Sequence, residues 1–154
     1  MATNMEEIVK RYENKLFRIA IAITGSKTDA EDIIQDVFVK LFMKMPRFES
    51  PEHEAAWLVR VTVNESKSRL RSAWRKKTVP LLEVYTANNT EQNDVMKHVL
   101  ALSPKYRTVI HLYYYEGYKT KEIAEVTNQK ESTVREQLTR ARRMLKGFIE
   151  GEAL

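Results

Sequence analysis

The 154-residue chain contains no cysteine. Disulfide scaffolds, zinc–cysteine sites and thiol nucleophiles are therefore excluded, and the composition fits a reducing compartment. Glycine and proline are scarce, at four each, which rules out collagen-like or low-complexity material. No stretch approaches the ~20 apolar residues of a membrane span, and the charged opening MATNMEEIVKRYENK has no apolar signal-peptide core. A cytoplasmic protein without membrane insertion is expected. A glycine-rich phosphate loop and a nucleophile elbow are also missing, and His53, His98 and His111 have no helical or metal-ligand pairing. Neither catalysis nor a metal or other cofactor is expected.

What is present is ordinary globular material, 43% hydrophobic and 31% charged, enough for one domain or two very small ones. The net charge of +5 is unevenly spread. Residues 57–80 carry 7 basic against 1 acidic side chain, a local +6, and residues 105–154 carry 10 against 7, or +3. Residues 1–56 have 8 against 10 and residues 81–104 have 1 against 3, so each is at −2. A basic stripe of this kind is expected of a surface that tracks phosphates, or else of a solvated helix face.

Apolar residues recur at helical spacing in every strong segment, so the chain reads as all-α. A first helix is expected from about Met5 to Thr24, with Ile8, Tyr12, Leu16, Ile19 and Ile23 on one stripe and Gly25 closing it. Thr28 and Glu31 form a capping-box pattern for a second helix reaching about Met45. Ser50-Pro51 is a cap-plus-proline start, read as a short turn before a long third helix from about Ala55 to Arg75. Residues 76–90, with a proline, an Asn pair and no helical period, read as a tether between two small helical domains at 5–75 and 91–150. Beyond it, Glu91 to Leu102 is helical in spacing, Ser103-Pro104 opens a helix that Gly117 terminates, and Thr120–Thr127 and Ser132–Glu150 follow. The run Val109 to Tyr115 has strand propensity, but the flanking cap and glycine argue for helix.

Residues 120–145 have the layout of a helix-turn-helix: a short helix, a turn, then a longer basic helix. Ala124 is small where the helices cross, Ile123, Val134 and Leu138 fill the angle, and Asn128 suits a left-handed turn. On the second helix Ser132, Thr133, Arg135, Glu136, Thr139, Arg140 and Arg143 are the solvent-facing candidates, the first of them for base edges and the later arginines for phosphates. The third helix offers a separate basic face, Arg60, Asn64, Lys67, Arg71 and Arg75, with Trp74 nearby. The second helix has the opposite sign: Asp29, Asp32 and Asp36 share a face beside Gln35. Capping accounts for Asp29 and Glu31, whereas Asp36 lies further in and fits a docking surface for a basic partner. A stand-alone helix-turn-helix regulator binding duplex DNA is the alternative that these features leave open.

In order, the segments DAEDIIQDVFVKLF, WLVRVTVNESKSRLR and LSPKYRTVIHLYYYEGYKTKEIAEV resemble the extracytoplasmic-function (ECF) sigma factors of bacterial RNA polymerase, from about Glu6 to Lys146. The resemblance implies a sigma-2 domain at 5–75 and a sigma-4 domain at 91–150, with residues 76–90 as the linker that threads toward the RNA exit path. It implies docking on the β′ coiled coil of core polymerase through Asp32, Gln35, Asp36, Phe38 and Val39. It implies contacts to the −10 element through Arg60, Asn64, Lys67 and Arg71, with loop residues Arg47 to His53 near a flipped base. It further implies reading of the −35 element by the second helix of the helix-turn-helix, support from the β flap, and control by an anti-sigma factor. The turn Thr127-Asn128-Gln129-Lys130 departs from the family's usual apolar-Gly-apolar-Pro, and Glu136 and Gln137 replace small or basic residues.

Overall fold

The computed structural model describes residues 5–75 and 98–153, and every described element is helical. The tether expected at 76–90, the start of the helix expected at Glu91 and the side chains of Trp74 and Arg75 lie outside the described residues. Helix α1 spans Met5–Thr24 and buries the expected stripe of Ile8, Tyr12, Leu16, Ile19 and Ile23. Gly25 ends it with φ 70°, its N–H donating to Ile21 O at 2.7 Å. Helix α2 spans Lys27–Lys44 and is capped by Ser26, whose hydroxyl accepts from the Asp29 N–H at 3.2 Å. The Thr28 cap is thus corrected by two residues. The connection is so tight that the residue after Gly25 must take the extended cap conformation, and Ser26 does so with φ −129° and ψ 121°.

Helix α3, Pro51–Arg75, starts at the proline itself rather than at Ala55. Ser50 caps it, its hydroxyl accepting from His53 N–H at 3.0 Å. Helices α1, α2 and α3 pack pairwise into a three-helix unit. In the second half, residues 98–101 are helical, and α4, Pro104–Ile110, runs on into a π-helical turn, His111–Tyr115. There the Glu116 N–H reaches His111 O five residues back, at 3.1 Å. The strand-prone run is therefore helical, and Gly117, with φ 74°, stops it. Helix α5, Thr120–Thr127, turns through Asn128, at φ 55° and ψ 49°, into α6, Glu131–Ala153. Ile123, Ala124, Val134 and Leu138 fill the angle between α5 and α6 and are buried. Among the described residues no helix is long and apolar enough to cross a membrane.

The two halves share one hydrophobic core. Helix α1 meets α4 and the π turn, and α3 meets α5. The polar part of this junction centres on Arg107, which is buried. Its Nε donates to Ala22 O at 3.0 Å and Ile23 O at 3.1 Å, satisfying carbonyls at the end of α1 that have no partner within that helix. Its Nη1 donates to Leu100 O and Leu102 O, each at 3.3 Å, so one guanidinium joins both halves. Beside it Arg18 donates twice to Glu116, at 3.2 and 3.3 Å, and Lys15 lies over the Tyr118 ring at 4.7 Å.

Candidate functional site

Three surfaces carry the charged and polar groups singled out above. On α2, Ala30, Ile33, Val37 and Leu41 turn inward, leaving Asp32, Gln35, Asp36 and Val39 on the outer side. Phe38 is not among them. It is 7% exposed and packs into the core, because the buried stripe is wide enough to take in the residue beside Val37. Of the five residues expected on the docking face, Asp32, Gln35, Asp36 and Val39 thus lie outward and Phe38 lies beneath them. The outward apolar groups are Val39, 56% exposed, and Phe42, Met43 and Met45 beyond it.

The acidic side of α2 is also held from within the fold. Arg69 of α3 reaches Asp36 at 3.2 Å, Asp32 at 3.3 Å and Asp29 at 3.9 Å. Although partial burial disfavours its charge, the Asp36 bond and the carboxylates around it keep the guanidinium more firmly protonated than usual. Lys40 pairs with Glu65 alongside. The carboxylates are therefore pre-positioned, with Asp32 and Asp36 still about half exposed.

On α3 the face carrying Arg60, Asn64, Lys67 and Arg71 is separate from the buried Leu58, Val59 and Val63. Arg60, Asn64 and Arg71 are exposed, and Lys67 is half-buried. Burial, reinforced by Arg71, lowers the Lys67 pKa, so its ammonium gains most when an anion arrives. The loop before α3 is fixed by rings: Phe48 meets His53 edge-on at 5.4 Å and Trp57 at 5.9 Å, and His53 Nδ1 accepts from the Glu49 N–H at 3.1 Å.

On α6, Ser132, Arg135, Glu136, Thr139, Arg140 and Arg143 are exposed along one run, while Thr133 is half-buried. Arg135 pairs with Glu131 at 3.2 Å and Arg140 with Glu136 at 2.6 Å. Exposed pairs of this sort are worth only a few tenths of a kcal/mol, about 0.3–0.5, so a phosphate or base edge displaces the carboxylate at little cost.

Two family models match the chain, sigma-70 region 2 over residues 8–76 and sigma-70 region 4 over residues 93–145. The chain belongs to the ECF sigma factors. It is 27% identical to the ECF RNA polymerase sigma factor SigE of Mycolicibacterium smegmatis, over 94% of this chain and 61% of that protein. It is 26% identical to SigW of Bacillus subtilis, over 91% of this chain and 86% of that one. Among solved structures, the sigma factor RpoE of Bartonella quintana, in complex with the anti-sigma factor NepR, superposes with a TM-score of 0.80 at 22% identity, covering 94% and 96% of the two chains. CnrH, in complex with the cytosolic domain of CnrY, gives 0.69 at 24% identity, covering 96% and 88%. These two likenesses establish the fold.

Within this sigma factor, region 2 comprises α1, α2 and α3 and region 4 comprises α4, α5 and α6. Sequence reasoning did not find Arg69, although an arginine on α3 facing three aspartates of α2 has a visible charge pattern. Arg107 had no such signal, because its partners are backbone carbonyls that every residue carries.

Proposed function

We propose that this sigma factor binds core RNA polymerase and directs it to promoters with −10 and −35 elements. Docking on the β′ coiled coil uses Asp32, Gln35, Asp36 and Val39, extended by Phe42. The −10 strand is held by Arg60, Asn64, Lys67 and Arg71 beside the Phe48–His53–Trp57 cluster. Base stacking of roughly 1–3 kcal/mol per base, together with backbone contacts, favours the unpaired strand and so helps melting. The −35 element is read in the major groove by Ser132, Arg135, Glu136 and Thr139, with Thr133 at the edge of that face and Arg140 and Arg143 on phosphates. Region 4 rests on the β flap, residues 76–90 link the two domains, and an anti-sigma factor masks the polymerase-facing surfaces. The chain works in the cytoplasm and has no catalytic role of its own, chemistry belonging to the polymerase.

The observation that carries this reading is the presence, in one chain, of an acidic, apolar-ended α2 surface and two distinct basic surfaces on α3 and α6. A stand-alone regulator needs only the last of these. Co-elution of the purified chain with bacterial core polymerase tests it, with Gln35→Arg as control, since Gln35 is exposed and, unlike Asp36, is not engaged by Arg69. Binding by the wild type and loss in the variant supports the proposal. A duplex shift by the protein alone, without binding to any core, would favour the regulator.

A further inference from the structure

The turn of the helix-turn-helix is closed by a directed chain of side-chain hydrogen bonds. The Thr127 hydroxyl donates to Ile123 O within α5 at 2.6 Å, so toward other groups it can only accept. Gln129 Nε2 donates to that hydroxyl at 2.9 Å, which fixes which end of its carboxamide faces α5. The same Nε2 donates to Gln137 Oε1 at 3.2 Å, and Gln137 Nε2 returns a bond to Gln129 Oε1 at 2.8 Å. Both glutamines are half-buried. The backbone holds the arrangement in place: Asn128 is left-handed, and the Gln129 N–H donates to Ala124 O at 2.9 Å. Gln129 of the turn and Gln137 of α6 thus form one reciprocal pair.

Resting on the reading of α6 as the −35 helix, we infer that the Thr127–Gln129–Gln137 network is the positioning element that sets the rotation of α6 on α5, and that Gln137 is not itself a base reader. An apolar contact at this point would be non-directional and tolerate sliding, whereas a reciprocal carboxamide pair is restrictive in both distance and angle. Rotation matters here because side-chain tips at ~6 Å from a helix axis move about 1 Å for each 10°. Hydrogen bonds to base edges tolerate only a few tenths of that. Gln137 sits directly after Glu136 in the reading run, and glutamine can bond adenine in a bidentate manner. To do so it would have to surrender its bonds to Gln129.

The test uses holoenzyme reconstituted with core polymerase, transcribing a promoter library with a randomised −35 hexamer above a fixed −10 element. Gln129→Ala and Gln137→Ala are each expected to lower the enrichment of the preferred hexamer about 3- to 10-fold, broadening preference at several positions. The double variant is expected to be no worse than the poorer single, because both remove the same link. Gln129→Lys with Gln137→Glu keeps the donation toward Thr127 and toward residue 137, replaces the return bond by an ion pair, and is expected to restore enrichment to within about 2-fold of wild type. This rescue keeps the test decisive even if an alanine variant folds poorly. An unaffected Gln129→Ala, or a Gln137→Ala change confined to one base pair and not rescued by the exchanged pair, would overturn the proposal. A polymerase-bound wild type with no −35 preference would instead overturn the reading of α6 on which it rests.

Discussion

Phe38 and Val39 are adjacent, and the alternation between them is a matter of angle around α2. Phe38 packs into the core, so Phe38→Ala is expected to cost about 3–5 kcal/mol, read from the urea midpoint. Val39→Arg faces water, and the midpoint should stay within about 0.5 kcal/mol while co-elution with polymerase weakens. The buried stripe of Ile33, Val37 and Leu41 takes in Phe38 as well, and that width depends on what α1 and α3 bring to the opposite side. On α3, Asn64 is exposed and bears an amide suited to an unstacked base, so Asn64→Ala should reduce open-complex formation more than duplex binding. A permanganate footprint set beside a duplex gel shift measures both, and equal losses would count against a role specific to the melted strand. The four residues of that face were legible because a spacing of three or four is a property of the helix itself. Arg69 was not, because its role depends on a second helix.

Helix boundaries were legible to within a few residues wherever the chain carries its own stop signal. Gly25, Gly117 and Asn128 all end elements where expected, and Pro51 opens α3 a turn before the start expected at Ala55. The exception is the start of α2, where Thr28-x-x-Glu31 matches a capping box but Ser26 makes the bond. A local pattern cannot register that α1 ends at Thr24 with only Gly25 between it and Ser26, which leaves no room for a longer connection. Ser26→Ala should therefore cost about 1 kcal/mol, whereas Thr28→Ala, at an exposed position, should stay within about 0.5 kcal/mol. Thermal or urea melts of the two variants side by side check the assignment. The rotation of α6 on α5 belongs to the same scale, since glutamines eight residues apart become partners only after the turn has formed.

The division of the chain at residues 76–90 was legible in the break in helical period there, but the packing of the halves on each other was not, since its bonds run between residues about 85–100 positions apart. In this arrangement Glu116 is bonded by His111 at 2.7 Å and by Arg18. Burial alone would raise its pKa, yet these bonds and charges pull it down to about 2. A carboxyl held this low contributes fully above its unfolded value near 4.5 and loses that contribution as pH falls toward about 2. Urea midpoints of wild type and Glu116→Gln should therefore differ at pH 7 and converge across that acid range. Reading two separated promoter elements, as proposed, requires the halves to part. A compact chain of this length has a radius of gyration of ~15 Å and so spans ~40 Å. Duplex sites about 25 base pairs apart are separated by ~85 Å. Between Arg75 and His98 the chain reaches ~75 Å when extended, enough with the domains' own width to cover that distance. Because the chain has no native cysteine, Lys27→Cys and Lys146→Cys can carry a dye pair, and the separation should increase when core polymerase is added; an unchanged distance would contradict opening. The π turn at His111–Tyr115 acts at this scale too. Each residue advances a helix by about 100°, so the extra one accommodated there sets the direction in which everything after it departs. The heading of the helix-turn-helix is in this sense a matter of residue count: removing a single residue from the turn would re-aim α5 and α6 and take Glu116 away from Arg18, with every contact residue of α6 still in the chain.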